Sequence, residues 1–149
     1  MKNKKILFIC TGNTCRSPMA EIILKKKLKD AGITGIRVSS AGLAANAGSK
    51  ISENSALALK TLGYRAGAFK SKSATPNMLK RAELIICMTL EHKRYLTGFE
   101  RVYTMSEVTG LANVPDPYGG SLQLYTETAR QIETACEIIL KELIKVKGE

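Results

Sequence analysis

The sequence predicts an α/β layer fold with a mainly parallel sheet, in one domain that spans residues 1–149. Two patterns alternate along the chain: short, continuous apolar runs such as residues 5–9, and longer segments with a helical period. Continuous apolar runs are typical of parallel strands, because both faces of such strands are covered. Their alternation with amphipathic helices indicates a layered α/β domain, and 149 residues are enough to bury its core.

The first half of the chain supplies two strands and two helices. Residues 5–9 are predicted to form a buried strand, and a loop containing Gly12 leads from it into a helix over residues 17–31. A short strand over residues 37–40 runs into a loop rich in glycine and alanine. The next helix covers residues 53–62 and ends at Gly63, because glycine is favoured just after the last helical turn.

The second half repeats the alternation and closes with the clearest helix. Pro76 opens a short helix to about residue 82, followed by a strand over 84–88, a helix over 90–96 and a strand over 102–105. In the last helix, apolar residues recur at steps of four and three and line one face. We interpret this face as core and its cysteine as a small buried hydrophobe. The face comprises Tyr125, Ala129, Ile132, Cys136, Ile139 and Leu143.

The composition favours a cytoplasmic protein without nucleic-acid or membrane partners. The net charge is +10, but aromatic residues make up only 5% and do not alternate with the lysines, so a base-stacking surface is not expected. The first apolar run ends at the polar residues 11–14, is too short to span a membrane, and precedes no small-residue cleavage site. We interpret the lysines as solvated helix faces that also favour the approach of anionic substrates.

The cysteines and the single histidine limit the metal chemistry that the chain can perform. Cys10, Cys15, Cys87 and Cys136 form no Cys-x-x-Cys pair, and His92 is the only histidine. A zinc site is therefore not expected. In a cytosolic protein, cysteines are more often catalytic or buried than joined in structural disulfides.

The loop between the first strand and the first helix has the spacing Cys10-x5-Arg16-Ser17. Backbone N–H groups that curl ahead of a helix N-terminus form an anion-binding nest, to which the helix dipole adds. Gly12 and Asn13 both accept left-handed backbone angles, which a tight loop requires. The predicted phosphate-binding residues are Thr11, Gly12, Asn13, Thr14, Cys15, Arg16 and Ser17.

Three side chains of this loop suit the transfer of a phosphoryl group. Arg16 can hold two phosphate oxygens with its planar guanidinium, and the positive field favours the nucleophilic thiolate of Cys10. Ser17 can either donate to the sulfur or cap the helix. The segment lacks the Walker sequence, so phosphate here is the reacting group and not the anchor of a nucleotide.

A general acid must protonate the leaving group, and Asp116 is the candidate. It lies in the segment Val114-Pro115-Asp116-Pro117-Tyr118, where the two prolines stiffen the chain and give the carboxyl group a defined direction. An Asp-Pro pair alone is a common turn element. Together with the cysteine loop it predicts an acid catalyst.

In order and spacing the chain resembles the low-molecular-weight protein tyrosine phosphatase family. The resemblance implies a three-layer fold with a four-stranded parallel sheet flanked by helices on both faces. It also implies two-step catalysis through a phosphocysteine at Cys10, with Asp116 as acid and then as base for water. We expect no cofactor, a phosphorylated protein as substrate, and a monomer in preference to a stable oligomer. The matching segments are residues 10–21, Ser39-Ser40-Ala41-Gly42, residues 84–89 with His92-Lys93, and Asp116-Pro117.

Within the family, the chain resembles the bacterial protein arginine phosphatase branch. Thr14 occupies a position that usually carries a larger apolar residue in enzymes acting on phosphotyrosine. A hydroxyl offers a guanidinium a polar neighbour, whereas an aryl ring gains from apolar contact. Tyr118 could stack on either group. Thr14 and Tyr118 are therefore the predicted specificity residues, and a neutral substitution at Thr14 is the alternative.

One departure from the family concerns the support of the loop. The family often has a histidine within the segment that here covers residues 68–72, where it supports the network around Asn13. Phe69 and Lys70 cannot replace it as an acceptor. Ser40 is expected to reach Asn13 instead, with a less rigid loop as the consequence.

Other functions remain open on the sequence alone. A tyrosine phosphatase of the same fold is the main alternative. An arsenate reductase needs a further cysteine pair, whereas Cys87 lies in a predicted strand and residue 94 is arginine. A phosphate-binding redox sensor would not need Asp116. For the phosphatase itself, Cys10 is expected to be an exposed thiolate prone to oxidation, with Cys15 as its resolving thiol.

Overall fold

The structure, a computed structural model, describes residues 4–148, with side chains as far as residue 145; residues 1–3 and 149 lie outside it. Four parallel strands form one sheet in the order β2-β1-β3-β4. The predicted fold class is confirmed, since helices cover both faces of this sheet. The strands are β1 Lys4–Cys10, β2 Ile36–Gly42, β3 Leu84–Cys87 and β4 Val102–Thr104.

The described residues contain six helices, one more than the sequence analysis predicted. The additional helix follows β4 directly, because Thr104 is both the last residue of β4 and the N-cap of this helix. Its hydroxyl accepts from the N–H of Glu107 at 3.0 Å. The Thr-x-x-Glu capping box was present in the sequence and could have identified this helix. The helices are α1 Arg16–Asp30, α2 Glu53–Thr61, α3 Pro76–Arg81, α4 Leu90–Arg94, α5 Met105–Thr109 and α6 Leu122–Gly148.

Strand β1 is apolar throughout because it lies inside the sheet and inside the core. Ile6 and Phe8 pack on the face covered by α1 and α6, whereas Leu7 and Ile9 pack on the face covered by α3. Successive side chains of a strand point to opposite faces, so both sets are buried at once. The continuous apolar run is the consequence of this double burial.

The last helix buries the predicted face. Ala129, Ile132 and Cys136 are fully buried, and Leu143 packs against them at the edge of the cluster. Burial raises the pKa of the Cys136 thiol well above its usual range, so the side chain behaves as an apolar group. Among residues 4–148, no helix is both long enough and apolar enough to cross a membrane.

The strand order places a crevice at the carboxyl end of β1. The chain passes from β1 to β2 on one side, and β3 then pairs with β1 on the other side. Ligands of open α/β sheets bind where the connections diverge in this way. Cys10 is the last residue of β1 and pairs with Gly42 at the end of β2. The topology therefore opens the crevice directly beyond Cys10.

Candidate active site

Residues 10–17 curl tightly from β1 into the start of α1. Asn13 has the left-handed φ of 55° that a tight loop requires. Gly12 does not have a positive φ, so the prediction that it uses glycine's conformational freedom is wrong. The carbonyl oxygens of Cys10 and Thr11 accept from the backbone N–H groups of Leu43 and Ala44 at 3.0 and 2.9 Å. With its carbonyls bound outward, the loop fits a nest that presents N–H groups inward.

The N-terminus of α1 carries no side-chain cap, although Cys15 occupies the N-cap position. The first turn contains no acidic residue that would neutralise the positive end of the helix. Ser17 bonds the sulfur of Cys10 at 2.8 Å, which decides between its two predicted roles. The uncapped N–H groups and the helix dipole make this end of α1 a suitable anion site.

A chain of hydrogen bonds orients the hydroxyl of Ser17 toward the sulfur of Cys10. The amide nitrogen of Asn13 can only donate, and it donates to Ser17 and to Ser40 at 2.9 Å each. Ser17 therefore accepts from Asn13, and its own hydrogen remains for the sulfur at 2.8 Å. Ser40 likewise accepts from Asn13 and donates to a carboxylate oxygen of Glu21 at 2.7 Å.

The Asn13 side chain has a partner for its oxygen as well. Oδ1 accepts from the backbone N–H of Lys72 at 2.8 Å, in the segment where the family often has a histidine. Together with Ser17 and Ser40, this bond satisfies the amide of a fully buried residue. A backbone N–H thus supports Asn13 from the same segment in which Phe69 and Lys70 cannot replace the family's histidine. No sequence pattern predicts such a backbone donor.

Two residues that support the loop had no role in the sequence analysis. Glu21 is 6% exposed, ends the network through Ser40, and is paired with Lys25 at 2.7 Å. Gly42 lies so close to the loop that a Cβ would collide with the Thr11 carbonyl oxygen and lie 3.0 Å from the Asn13 nitrogen. A glycine is required at position 42 because two backbone segments approach closely there. The spacing of residues along the chain does not reveal this contact.

Arg16 connects the loop with the segment that carries Asp116. The Arg16 side chain is 5% exposed and donates from one nitrogen to the Val114 carbonyl oxygen at 3.1 Å. Its other terminal nitrogen lies 3.8 Å from a carboxylate oxygen of Asp116, whose side chain is 52% exposed. The guanidinium is thus fixed at one edge and directed toward the mouth of the loop at the other.

The loop that carries Asp116 is fixed at its base and turns tightly at its tip. The N–H of Val114 donates to the carbonyl oxygen of Met88, just beyond β3, at 3.0 Å. At the tip, the other carboxylate oxygen of Asp116 accepts from the N–H of Tyr118 at 3.0 Å. Tyr118 itself is exposed and free to contact a ligand. The fixed base and the turn give Asp116 a defined direction, as the two prolines predicted.

The predicted site residues meet around one open cavity of about 260 Å³, which we call the phosphate cavity. It is lined by residues 10–12 and 14–16 of the loop together with Asp116 and Tyr118. Asn13, Ser17 and Ser40 lie behind this lining and support it. Thr14 also lines the cavity, and its hydroxyl has only a long contact, 3.9 Å, with the Cys15 sulfur. It therefore remains available to a ligand.

The cysteines occupy different environments, and all four are free thiols. Cys10 is 2% exposed and lines the phosphate cavity, so the expectation of an exposed thiol is wrong. The sulfur of Cys15 contacts the Ser52 and Tyr125 hydroxyls at 3.5 and 3.6 Å. Cys87 is fully buried in β3, and burial raises its pKa to about 12.

Comparisons with known proteins agree with this geometry. The model of the family described as low molecular weight phosphotyrosine protein phosphatase matches residues 5–148. A protein-arginine-phosphatase of Bacillus subtilis is 35% identical, covering 94% of this chain and 97% of its own length. The low molecular weight protein-tyrosine-phosphatase PtpB of Staphylococcus haemolyticus is 35% identical, covering 86% of this chain and 91% of its own length.

A solved structure of a relative shows a phosphorylated residue in its active site. It is a cysteine-to-serine mutant of the YwlE arginine phosphatase with a phosphorylated active-site serine. It superimposes with a TM-score of 0.89 at 33% identity, covering 95% of this chain and 96% of that one. The phosphate cavity, the parallel sheet and these matches together show that the chain belongs to the low molecular weight phosphotyrosine protein phosphatase family. It is a cysteine-based phosphatase.

Proposed function

We propose that this protein removes phosphoryl groups from phosphoarginine residues of proteins, through a phosphocysteine at Cys10. The observation that carries the proposal is the Ser17 hydroxyl, directed at the Cys10 sulfur from 2.8 Å within a cavity that also contains Arg16 and Asp116. A nucleophile, an anion-binding loop and a proton donor are the groups that phosphoryl transfer through a covalent intermediate requires. All three line the phosphate cavity.

In the first step, the Cys10 thiolate forms the S–P bond as the bond from phosphorus to the substrate's guanidinium nitrogen breaks. Asp116 gives its proton to that nitrogen, so that arginine leaves as a stable cation. The loop N–H groups and the Arg16 guanidinium hold the three non-bridging oxygens, on which charge is spread in the transition state. The Ser17 hydroxyl donates to the sulfur and keeps the thiolate in place.

In the second step, water attacks the phosphorus of the phosphocysteine and the S–P bond breaks. Asp116, now a carboxylate, takes a proton from this water and returns to its acid form. Cys10 leaves as a thiolate, to which Ser17 again donates, and inorganic phosphate departs through the open cavity. The half-exposed Asp116 can reach both the leaving group and the incoming water.

The arginine assignment is supported by Thr14 and by named relatives. The Thr14 hydroxyl lines the cavity without a strong partner, so it can accept from a guanidinium N–H of the substrate. Two relatives, 35% and 33% identical, carry the name protein-arginine-phosphatase. A relative named as a tyrosine phosphatase is also 35% identical, so phosphotyrosine is the alternative substrate.

Relayed disulfide chemistry of the arsenate-reductase type has little support. Such a relay requires a second reactive thiol that can come within bonding distance of the first. Cys87 is fully buried in β3, and its pKa of about 12 keeps it protonated at neutral pH. Residue 94, on the neighbouring helix, is arginine.

The test compares kcat/KM on one peptide sequence carrying either phosphoarginine or phosphotyrosine. We expect the wild type to prefer phosphoarginine, Cys10→Ser to lose turnover while retaining phosphate binding, and Asp116→Asn to slow both substrates. The matched control is Asp30→Asn at the far, exposed end of α1, which should not change turnover. Turnover by Cys10→Ser would refute the assignment of Cys10 as the nucleophile. A wild-type preference for phosphotyrosine would refute only the assignment of phosphoarginine as the substrate.

A further inference from the structure

The only histidine lies beside the phosphate cavity, and the proposed chemistry gives it no role. His92 is 6% exposed and is the third residue of α4. It faces a second cavity of about 500 Å³, here called the side cavity, which Thr89 and Glu91 also line. The side cavity shares Thr11, Arg16 and Asp116 with the phosphate cavity. A buried imidazole at this boundary can act on the loop without touching the reacting atoms.

The hydrogen bonds of His92 define which ring nitrogen carries the proton. Nδ1 lies 3.2 Å from the backbone nitrogen of Thr89, whose N–H can only donate, so Nδ1 accepts. The proton of the neutral ring is therefore on Nε2, which lies 2.9 Å from the Thr11 hydroxyl oxygen. That hydroxyl accepts from His92, and its own hydrogen remains free to donate elsewhere.

The charges around the side cavity favour the neutral ring. Arg16, Glu91, Arg94 and Asp116 line it together with His92. Burial and the Arg16 cation lower the pKa of His92 to about 4, against the smaller opposing effects of Glu91 and Asp116. The neutral ring can accept at Nδ1 and donate at Nε2 at once, whereas an imidazolium would lose the first of these bonds.

Thr11 is the residue that this arrangement holds. It directly follows Cys10, is exposed, and has its carbonyl oxygen bound to the N–H of Ala44 at 2.9 Å. With its oxygen held by His92, the Thr11 side chain keeps this oxygen at the wall of the phosphate cavity, and the hydroxyl hydrogen can turn toward a ligand there. A donor oriented before the substrate binds stabilises developing charge without reorganisation at the moment of reaction.

We propose that His92 is a positioning residue, which ties α4 to Thr11 and holds the Thr11 hydroxyl as an additional donor to the phosphoryl group. The inference rests on the proposed phosphatase function and adds a residue that the loop spacing does not include. His92 performs two tasks with two nitrogens: Nδ1 completes the cap of α4, and Nε2 orients Thr11.

Two substitutions separate these tasks. In His92→Asn, the amide oxygen can replace Nδ1 as acceptor for Thr89, but the side chain is too short to reach Thr11. In His92→Gln, the longer side chain can place an N–H donor near the position of Nε2. We expect His92→Asn to retain the stability of the wild type and lower kcat/KM roughly five- to tenfold, the effect of one lost hydrogen bond. His92→Gln should recover most of kcat/KM.

A double-mutant cycle identifies Thr11 as the group through which His92 acts. Thr11→Val removes the hydroxyl and keeps the shape, so adding His92→Asn to it should change kcat/KM less than about twofold. The control for a simple loss of helix capping is Thr104→Ala, which breaks the similar capping box of α5 and lines neither cavity. It should lower stability and leave kcat/KM unchanged.

Affinity for inorganic phosphate provides a readout that does not depend on turnover. Its dissociation constant should rise in His92→Asn and return toward the wild-type value in His92→Gln. These results would support the positioning role even if neither phosphopeptide were a substrate, which would refute the proposed function instead. Wild-type phosphate affinity in His92→Asn, or losses in both variants that follow their lost stability, would overturn the inference.

Discussion

The direction of each hydrogen bond around Cys10 follows from the chemistry of a single residue type. Asparagine's amide nitrogen has no lone pair to offer, so Asn13 imposes the acceptor role on both Ser17 and Ser40. Glu21 then takes the hydrogen of Ser40, and the Cys10 sulfur takes that of Ser17. Ser17 therefore donates to the Cys10 sulfur because the buried amide of Asn13 makes it an acceptor on its other side.

We expect Thr14 to set the preference between phosphoarginine and phosphotyrosine. Thr14→Ile removes the hydroxyl of a residue that lines the phosphate cavity and adds apolar surface for an aryl ring. One polar contact is worth roughly 1–3 kcal/mol, so kcat/KM on phosphoarginine should fall about ten- to a hundredfold and that on phosphotyrosine should rise. Thr14→Ser keeps the hydroxyl and is the control. An unchanged ratio of the two kcat/KM values in Thr14→Ile would contradict this prediction.

Cys15 is expected to protect Cys10 after oxidation. Peroxide that enters the phosphate cavity should convert Cys10 to a sulfenic acid, and Cys15 should then form a disulfide with it that dithiothreitol reduces. Activity should return after reduction in the wild type and not in Cys15→Ser. Cys136→Ala, at a fully buried position on α6, controls for the loss of any thiol. Peptide mass spectrometry without a Cys10–Cys15 link after peroxide treatment would count against the mechanism.

At the scale of secondary-structure elements, the end of β2 shapes the phosphate loop as much as β1 does. Gly42 pairs with Cys10 across the sheet and allows the backbone at Thr11 and Asn13 to pass without a Cβ between them. The same strand supplies Ser40 to the hydrogen-bond network. The loop therefore depends on the register of two neighbouring strands.

Gly42→Ala should displace the loop. The added Cβ would meet backbone atoms of Thr11 and Asn13, which cannot rotate away as a side chain can. We expect weaker phosphate binding, loss of most activity, and about 1–3 kcal/mol less stability, as for other overpacked sites. Gly110→Ala is the control, because Gly110 has a φ of 76° and open space around it, so it costs stability only. Equal losses of activity in both variants would contradict a role for this close approach.

The cap of α4 makes the stability of the protein sensitive to mild acid. His92 has its pKa lowered to about 4, whereas an unfolded histidine takes up its proton near pH 6.5. Its contribution is therefore complete above about pH 6.5 and is lost as the pH falls toward 4. Urea unfolding should show a smaller loss of stability over this range in His92→Asn than in the wild type. Parallel curves for the two proteins would contradict this expectation.

At the scale of the whole molecule, the positive charge adds to the attraction of the site for anions. The net charge is +10, and the phosphate cavity itself contains Arg16 and the positive end of α1. Charges that lie apart on a surface act on an approaching ligand only within the screening length of the solution. The effect therefore belongs to the rate of association and not to the chemical step.

Salt should lower kcat/KM and leave kcat nearly unchanged. Between about 0.01 and 0.15 M ionic strength the screening length falls from about 30 to 8 Å, which weakens the attraction of an acidic phosphopeptide. The decrease should be larger for a peptide with acidic residues beside the phosphorylated position than for a matched neutral peptide. Equal salt dependence for both peptides would show that the surface charge does not contribute to their capture.

The sequence alone determined the fold class and the groups that are proposed to carry the chemistry. The apolar runs and the face of α6 are local patterns, and so are Cys10-x5-Arg16-Ser17 and the two prolines beside Asp116. Each depends on residues that are neighbours along the chain, where steric preference and periodicity act directly. The single domain, the cytoplasmic location, the monomeric state and the absence of nucleic-acid and membrane partners stay predictions.

The tertiary structure decided what surrounds those groups. The strand order brings β2 beside β1, so Gly42 and Ser40 reach the loop from more than 25 positions away in the chain. Lys72 supports Asn13 through a backbone N–H, which any residue but proline could supply and no pattern therefore marks. His92 reaches Thr11 across 81 positions. These contacts form only when the helices and strands pack against one another. The spacing of residues along the chain does not predict them, because many different sequences would place the backbone in the same positions.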